Sequence, residues 1–336
     1  MRDIESVPLN GLKTVSTFSG CGGSCLGLRA AGFEALWASE FIPSAAETYR
    51  ANHPGVYLDT GDIRSVSADS ILDRIGLSVG ELDLLEGSPP CASFSTAGKR
   101  EAGWGKVKKY SETTQRVDDL FYEYIRLIDG IRPKVFFAEN VLGLVKGTAK
   151  GYFLDILAQM KSIGYNVEAR ALDAEWLGVP QRRKRIFFVG VRNDLNLPPA
   201  FPQPLPYFYS VREAFEGLPK GYSPNLHHYA IGRDWAALKW GGQNKVTRFN
   251  LARQHPDRPS WTILQTDGNP GAAGIVHYAE NRKLTIAELR RVCGFPDDFI
   301  LTGTWSQQYE RLGRAVPPPV TKALGETLYR EVFSKL

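Results

Sequence analysis

Thr14-Val15-Ser16-Thr17-Phe18-Ser19-Gly20-Cys21-Gly22-Gly23 runs a short β-type segment straight into a glycine-rich turn, and Leu26 to Ala31 continues it as a helix. Glycines at such a junction make the tight turn and let the backbone approach a ligand closely. The stretch departs from the strict dinucleotide fingerprint, because the position of the third glycine, counted from Gly20, holds Cys25. Outward from this loop, strand and helix patterns alternate. Phe33 to Ser39 reads as a second strand, Ser44 to Asn52 as a helix, and Leu82 to Glu86 as a short buried strand. Leu120, Tyr124, Leu127, Ile128 and Ile131 fall at helical spacing, and Pro133 ends that helix. Lys134 to Ala138 is an apolar strand, and Phe153 to Ile163 is an amphipathic helix stopped by Gly164. Strands over 166–172 and 186–191 follow. Such alternation predicts an α/β fold, a doubly wound and mostly parallel sheet with ligands at the strands' C-terminal ends.

After Val191 the character changes. Residues 193–257 hold eight of the 21 prolines and show no sustained periodicity. Helical pattern returns at Leu284 to Cys293, where Thr285 and Glu288 make a capping-box pair, and Pro317-Pro318-Pro319 opens a terminal helix. The expected organisation is a catalytic and cofactor-binding domain over 1–192, a small irregular domain over 193–281, and a C-terminal segment over 282–336 whose last helix returns to the first domain.

Composition bounds the class. The chain has 336 residues, 43% hydrophobic and 23% charged, as in soluble globular proteins. Its apolar runs are strand-length, which excludes a spanning helix, and Met1 to Leu12 lacks the core of a secretion signal. Cys21 and Cys25 have no second pair with which to bind zinc, so no metal is expected. Four scattered cysteines point to a reducing, cytoplasmic setting. The net charge of +5 is modest but uneven: Lys99 to Arg116 holds six Lys or Arg against two Glu, and Arg182-Arg183-Lys184-Arg185 is a second basic run. These read as phosphate contacts or as solvated faces.

Three features carry chemistry. In Gly87-Ser88-Pro89-Pro90-Cys91, two prolines stiffen the exit of a buried strand and aim a thiol from the sheet edge. Cys91 there is either a nucleophile or a buried small hydrophobe. Glu139-Asn140 ends the next strand at the same edge, where desolvation tends to raise a carboxyl pKa; the alternative is a turn acid. Glu40 ends the second strand roughly 20 residues after the glycine loop, where an acid grips ribose hydroxyls. With Asp62 available to an adenine amine, the set indicates an adenosine-containing ligand. If 181–191 is extended, Gln181, Arg183 and Arg185 share one face while Arg182 and Lys184 share the other.

These segments, in this order, resemble the cytosine-5 DNA methyltransferases. The carrying residues are Phe18 to Gly23, Glu40, Gly61-Asp62-Ile63, Ser88 to Cys91, Glu139-Asn140-Val141 and Gln181 to Arg185. Arg258 to Thr262, Arg282 to Thr285, Phe295 to Asp298 and Leu312 to Pro318 complete them. The chain departs from the family's usual pattern at Ala92, Phe41 and Arg314, where Gln, Trp and Asn are common.

The resemblance implies a Rossmann-like methyltransferase with a small target-recognition domain. Its cofactor would be S-adenosylmethionine, leaving as S-adenosylhomocysteine, bound by Phe18, Gly20, Gly22, Gly23, Glu40, Phe41, Asp62, Ile63, Ser88, Pro90, Leu120 and Ala315. Cys91 would attack C6 of a flipped-out cytosine in double-stranded DNA while Glu139 holds N3 and Arg185 holds O2. Arg183 is implied at the same site or at the flipped nucleotide's phosphate. Ser95, Lys99, Arg100, Lys106, Lys108 and Lys109 would approach DNA from a closing loop. Within 220–257, Arg233, Arg248 and Arg253 suit guanine or phosphate, while Asn225, Gln243 and Asn244 suit adenine; Trp235 and Trp240 are expected to pack that region's small core. The compact chain looks like a monomeric bacterial or phage modification enzyme, with a cognate restriction endonuclease as a possible companion. The alternatives are a tRNA cytosine-5 methyltransferase of the same fold and a non-catalytic DNA reader.

Overall fold

The computed structural model describes residues 1–90, 108–115, 117, 119–145, 149–224, 231–244, 251–268 and 274–336. It opens with a short helix, α1 (Arg2–Glu5), before β1 (Lys13–Thr17), α2 (Gly23–Ala30), β2 (Glu34–Ser39), α3 (Pro43–Asn52) and β3 (Tyr57–Asp59). Next come α4 (Ala68–Ile75), β4 (Leu84–Gly87), the two-stranded hairpin β5 (Lys108–Tyr110) and β6 (Thr113–Gln115), α5 (Leu120–Ile131) and β7 (Val135–Val141). Helix α6 (Ala149–Ser162), β8 (Tyr165–Asp173) and β9 (Lys184–Arg192) complete the regular half.

Seven of these strands form one sheet in the order β3-β2-β1-β4-β7-β9-β8. Neighbours from β3 through β7 run parallel, and β9 runs antiparallel to β7. The expected doubly wound α/β sheet is therefore present, with β9 reversed against β7. The chain winds from β1 outward to β3, then crosses to the other side of β1 to lay down β4 and β7. Strand order thus reverses between β1 and β4, and a crevice opens at the C-terminal ends of strands at such a point. The glycine loop leaves β1 there, and Ser88-Pro89-Pro90 leaves β4 there.

Strand alternation sorts the side chains. Val15, Leu85, Phe136 and Ala138 join Ile71, Leu72, Tyr124, Ile128, Ile156 and Met160 in one apolar core, so α4, α5 and α6 cover that face. Ser16, Glu86, Phe137 and Glu139 point to the opposite face. Gly87 allows a close approach in the core, because a Cβ there would meet Thr17 Oγ1 at 2.4 Å and the Tyr124 ring at 2.8 Å. Tyr124 uses that closeness: its hydroxyl donates to the carbonyls of Leu85 at 3.1 Å and Phe137 at 2.7 Å.

The chain divides into two compact units, one of residues 2–172, 184–202 and 322–336, the other of Met1, 173–183 and 203–321. This division differs from boundaries at 192 and 281. Residues 173–183 and 282–321 group with the second unit, and 193–202 with the first. The second unit contains α7 (Val211–Phe215), α8 (Ile231–Ala237), the parallel pair β10 (Ala252–Arg253) and β11 (Ile275–Val276), α9 (Ile286–Val292) and α10 (Trp305–Arg314). Helix α11 (Pro318–Glu331) follows. Thr285 and Glu288 form the expected capping box. Leu251 and Val276 make a small core covered by Trp235 and Leu238, whereas Trp240 is half exposed. Trp235 and Trp240 donate Nε1–H to the carbonyls of His277 and Tyr278. Among the described residues no helix is long and apolar enough to cross a membrane, and no cluster of His, Cys, Asp or Glu could hold a metal ion.

Replacing Tyr124 with Phe keeps the ring packing but deletes both carbonyl contacts within β4 and β7. Urea denaturation should show a loss of about 1–3 kcal/mol, and an unchanged midpoint would mean that the hydroxyl holds nothing.

Candidate active site

Strand β1 delivers the glycine loop with its geometry already set. Phe18 is a non-glycine residue in the left-handed region (φ 54), and Gly22 lies there at φ 90. A Cβ at Gly22 would sit 2.3 Å from His53 Nε2, which faces the Gly22 carbonyl at 3.1 Å. Burial lowers the His53 pKa to about 4, so the ring is neutral and its Nε2 must carry the hydrogen. At Gly20 an added Cβ would meet nothing within 4 Å, so this backbone borders open space.

Glu40 is buried at the end of β2, where its carboxylate accepts from the backbone N–H of Gly20 and of Ile42, both at 2.7 Å. The acid expected to grip a ligand therefore also shapes the loop. Asp62 accepts from the Arg64 N–H at 3.0 Å and pairs with the Arg64 guanidinium, which reaches Asp119 at 2.7 Å. Phe41 is 39% exposed, Phe18 is partly buried, and Ile63 and Leu120 are buried in the core beneath. Ser88 and Pro90 are partly buried at the end of β4. Ala315 lies in the second unit, where its N–H caps α10.

The exit of β4 is held by β7. Asn140 Nδ2 donates to the Pro89 carbonyl at 3.0 Å, and the Asn140 side-chain oxygen accepts from the Val141 N–H. Asn140 was visible in the sequence as part of a motif, but its function as the latch on the Pro-Pro turn was not. Beside it, Glu139 Oε1 lies 3.1 Å from Arg185 Nε, with 11% and 18% of the two side chains exposed. Register explains the meeting: β9 runs antiparallel to β7, with Arg185 opposite Val141 and Phe187 opposite Glu139. Burial lowers the Arg185 pKa while the charge of Glu139 opposes that shift. The structure thus joins the expected acid and the expected arginine into one largely buried ion pair.

Arg183 is tied into the protein's own frame. It is 3% exposed, and its guanidinium donates to the carbonyls of Ile263 at 3.3 Å and Gly313 at 3.0 Å within the second unit. The expected alternation along 181–185 is present: Gln181 and Arg183 are buried, and Arg182 and Lys184 are exposed. Arg253, expected on the base-reading side, is anchored by backbone carbonyls. It donates to the carbonyls of Leu238 at 2.7 Å and Tyr278 at 2.8 Å, with its guanidinium 4.2 Å from the Trp235 ring centre. Those bonds hold Nε and Nη1 within the frame of the second unit. Arg314, at the position where Asn is common, pairs with Glu310 at 2.7 Å.

Cys91, Ser95, Lys99, Arg100, Lys106, Asn225 and Arg248 lie outside the described residues. Lys108 and Lys109 belong to β5, and Arg233 to α8. Sequence reasoning missed Glu86, which is 1% exposed between β1 and β7. The signal was available, since a glutamate ending an apolar strand needs a buried partner.

A glycine loop and a Pro-Pro turn at the switch point, with a largely buried carboxylate–guanidinium pair on the strands beside them, are the features of a ligand-binding site on a nucleotide-type α/β sheet. The C-5 cytosine-specific DNA methylase family model matches residues 12–330, and the chain belongs to that family. It is 31% identical over 340 residues to Type II methyltransferase M1.HphI of Haemophilus parahaemolyticus, covering 95% of this chain and 87% of that protein. It is 34% identical over 436 residues to Type II methyltransferase M.AgeI of Thalassovita gelatinovora, covering 94% and 99%. Among solved structures, an E. coli prophage DNA modification methyltransferase superposes with a TM-score of 0.78 at 22% identity, covering 96% of this chain and all of that one. Spodoptera frugiperda DNMT2 does so at 0.69 and 19%, with the same coverage.

Changing Arg185 to Met should leave Glu139 buried without its partner and lower stability by up to about 3–5 kcal/mol. Adding Glu139→Gln should recover most of the loss. Guanidinium denaturation of both variants checks this, and a single variant as stable as the parent would show that the pair is fully solvated.

Proposed function

We propose that the protein transfers a methyl group from S-adenosylmethionine to C5 of a flipped-out cytosine in a specific duplex DNA sequence, through a covalent adduct of Cys91. The observation that carries this reading is the Glu139–Arg185 pair, set at the same sheet edge as the Pro89-Pro90 turn and tied to it by Asn140.

A cytosine ring is unreachable while stacked, and extruding it costs a few kcal/mol. Cys91, emerging from a turn stiffened by two prolines, is assigned the attack on C6, for which its environment must favour the thiolate. Electron density then builds on the ring at N3 and O2. Glu139 is assigned to protonate or hydrogen-bond N3, and Arg185 to hold O2, both already desolvated and therefore strong. C5, now nucleophilic, takes the methyl group, and loss of its proton with the C6–S bond regenerates the thiol and the aromatic ring.

S-adenosylmethionine supplies an electrophilic methyl group when bound. The residues present fit it. Gly20 leaves open space beside the backbone, and Glu40 is clamped by two N–H groups in a fixed orientation for ribose hydroxyls. Phe41 offers an exposed ring for the adenine, with Asp62 assigned to the adenine amine. Phe18, Gly22, Gly23, Ile63, Ser88, Pro90, Leu120 and Ala315 complete the assignment. The names of the relatives, Type II methyltransferases, favour DNA as the substrate and make a cognate endonuclease a reasonable companion. The basic loop with Lys99, Arg100, Lys106, Lys108 and Lys109 is assigned to phosphates, and Arg233 and Arg248 to the reading side.

Cys91→Ser should retain cofactor-product binding yet lose methyl transfer to duplex DNA, measured with labelled cofactor. A duplex carrying 5-fluorocytosine at the target should trap the parent protein covalently, since fluorine cannot leave as a proton does. Trapping that persists in the serine variant would sink the assignment. Alanine at Lys99, Lys106 and Lys109 should weaken binding to every duplex. The slope of log affinity against log salt should flatten by about 0.9 for each phosphate that is no longer neutralised. A shift in the methylated sequence instead, seen by methylome sequencing, would move base reading to the loop.

A further inference from the structure

Asp62 opens a single 3₁₀ turn, Ile63–Ser65, in the stretch between β3 and α4. Its Oδ1 accepts from the Arg64 N–H at 3.0 Å and from Arg64 Nη1 at 3.1 Å, and its Oδ2 accepts from the same Nη1 at 3.0 Å. The other edge of the guanidinium forks onto Asp119, 55 positions on, with Nη2 donating to Oδ1 at 2.7 Å and Nε to Oδ2 at 3.2 Å. Asp119 directly precedes Leu120, the first residue of α5. A planar guanidinium can serve two carboxylates at once, which an ammonium on a flexible stem does poorly.

The backbone of the turn is held without the Arg64 side chain. Ile63 is buried in the core, and Arg126 of α5 donates from Nη2 to the carbonyls of Ile63 at 3.0 Å and Val66 at 2.9 Å. What the guanidinium adds is the direction of the Asp62 carboxylate, a side chain 44% exposed that would otherwise turn freely into water. A carboxylate offers roughly four acceptor directions. The bonds from Arg64 take two on Oδ1 and one on Oδ2, so the acceptor direction left open is on Oδ2.

We propose that Arg64 is a positioning residue: it fixes Asp62 as an acceptor in one direction, and by doing so makes the site select a 6-aminopurine over a 6-oxopurine. This rests on the reading of Asp62 as the group at the adenine amine. An amino group donates to the open Oδ2 direction, whereas a 6-oxo group meets it as a second acceptor. A carboxylate free to swing would escape that clash, or turn to the N1–H that a 6-oxopurine carries. Held by Arg64, it can do neither. Asp119 takes part from behind, by keeping the guanidinium in place.

Calorimetry on the full chain without DNA tests this with two ligands, S-adenosylhomocysteine and its 6-oxo analogue S-inosylhomocysteine. The parent should prefer the amino form by about 30-fold or more, the range of one charge-assisted hydrogen bond. Arg64→Met should weaken the amino form by about tenfold and the oxo form by less than about twofold, so that most of the preference disappears. Asp119→Asn keeps the shape but removes the charge behind the guanidinium. It should move the preference the same way by a smaller factor, and it carries the test if Arg64→Met does not fold. A merely structural loss would lower both affinities alike and leave their ratio intact. Asp62→Ala is the control for the underlying reading. If it abolishes the preference while Arg64→Met and Asp119→Asn keep the parent's ratio, the role of Arg64 is overturned and the reading of Asp62 stands. If Asp62→Ala itself keeps the ratio, the adenine amine lies elsewhere and both fall.

Discussion

Three parallel strands, β1, β4 and β7, end together on one edge of the sheet, and each delivers polar groups where little water reaches. Buried polar groups must be satisfied by other protein groups, and the whole site follows from how this is done. The Gly20 N–H is taken by Glu40, the Pro89 carbonyl by Asn140, and the carbonyls of Leu85 and Phe137 by Tyr124. Each bond lies between elements far apart in sequence, so the loop, the Pro-Pro turn and the acid-bearing strand are fixed relative to one another. A site organised in this way is preorganised, and preorganised dipoles and charges need no rearrangement when charge develops on a substrate.

Arginine shows why counting charges misleads. Arg183 belongs to a basic run and Arg253 to the segment expected to read DNA, and both guanidinium groups serve carbonyl oxygens inside the second unit. That unit has short strands, and a planar cation with five donors satisfies backbone acceptors where no ladder can. Arg314 belongs with them through Glu310. The cation that joins the candidate chemistry, Arg185, is distinguished from these by its pairing with Glu139 at the sheet edge and by its place opposite Val141.

The order of elements was legible because periodicity and punctuation are local properties. Capping at Thr285 and Glu288, the stop near Pro133 and the alternation along 181–185 needed only neighbours in the chain. Glu139 and the glycine loop stood out for the same reason, as polar or flexible residues at the ends of apolar strands. The division into units was less legible: 173–183 joins the second unit and 184–202 the first, although no turn signal separates Arg183 from Lys184.

By itself the sequence determined a doubly wound sheet, the family's motifs in order, and the residue types available at each strand end. Tertiary structure alone decided that β9 runs antiparallel and brings Arg185 to Glu139, that Asn140 latches Pro89, and that Arg64 joins Asp62 to Asp119. The physical reason is that electrostatic coupling and hydrogen bonding depend on distance in space and on dielectric surroundings. Strand order and register set both of these, and neither is written in any one segment.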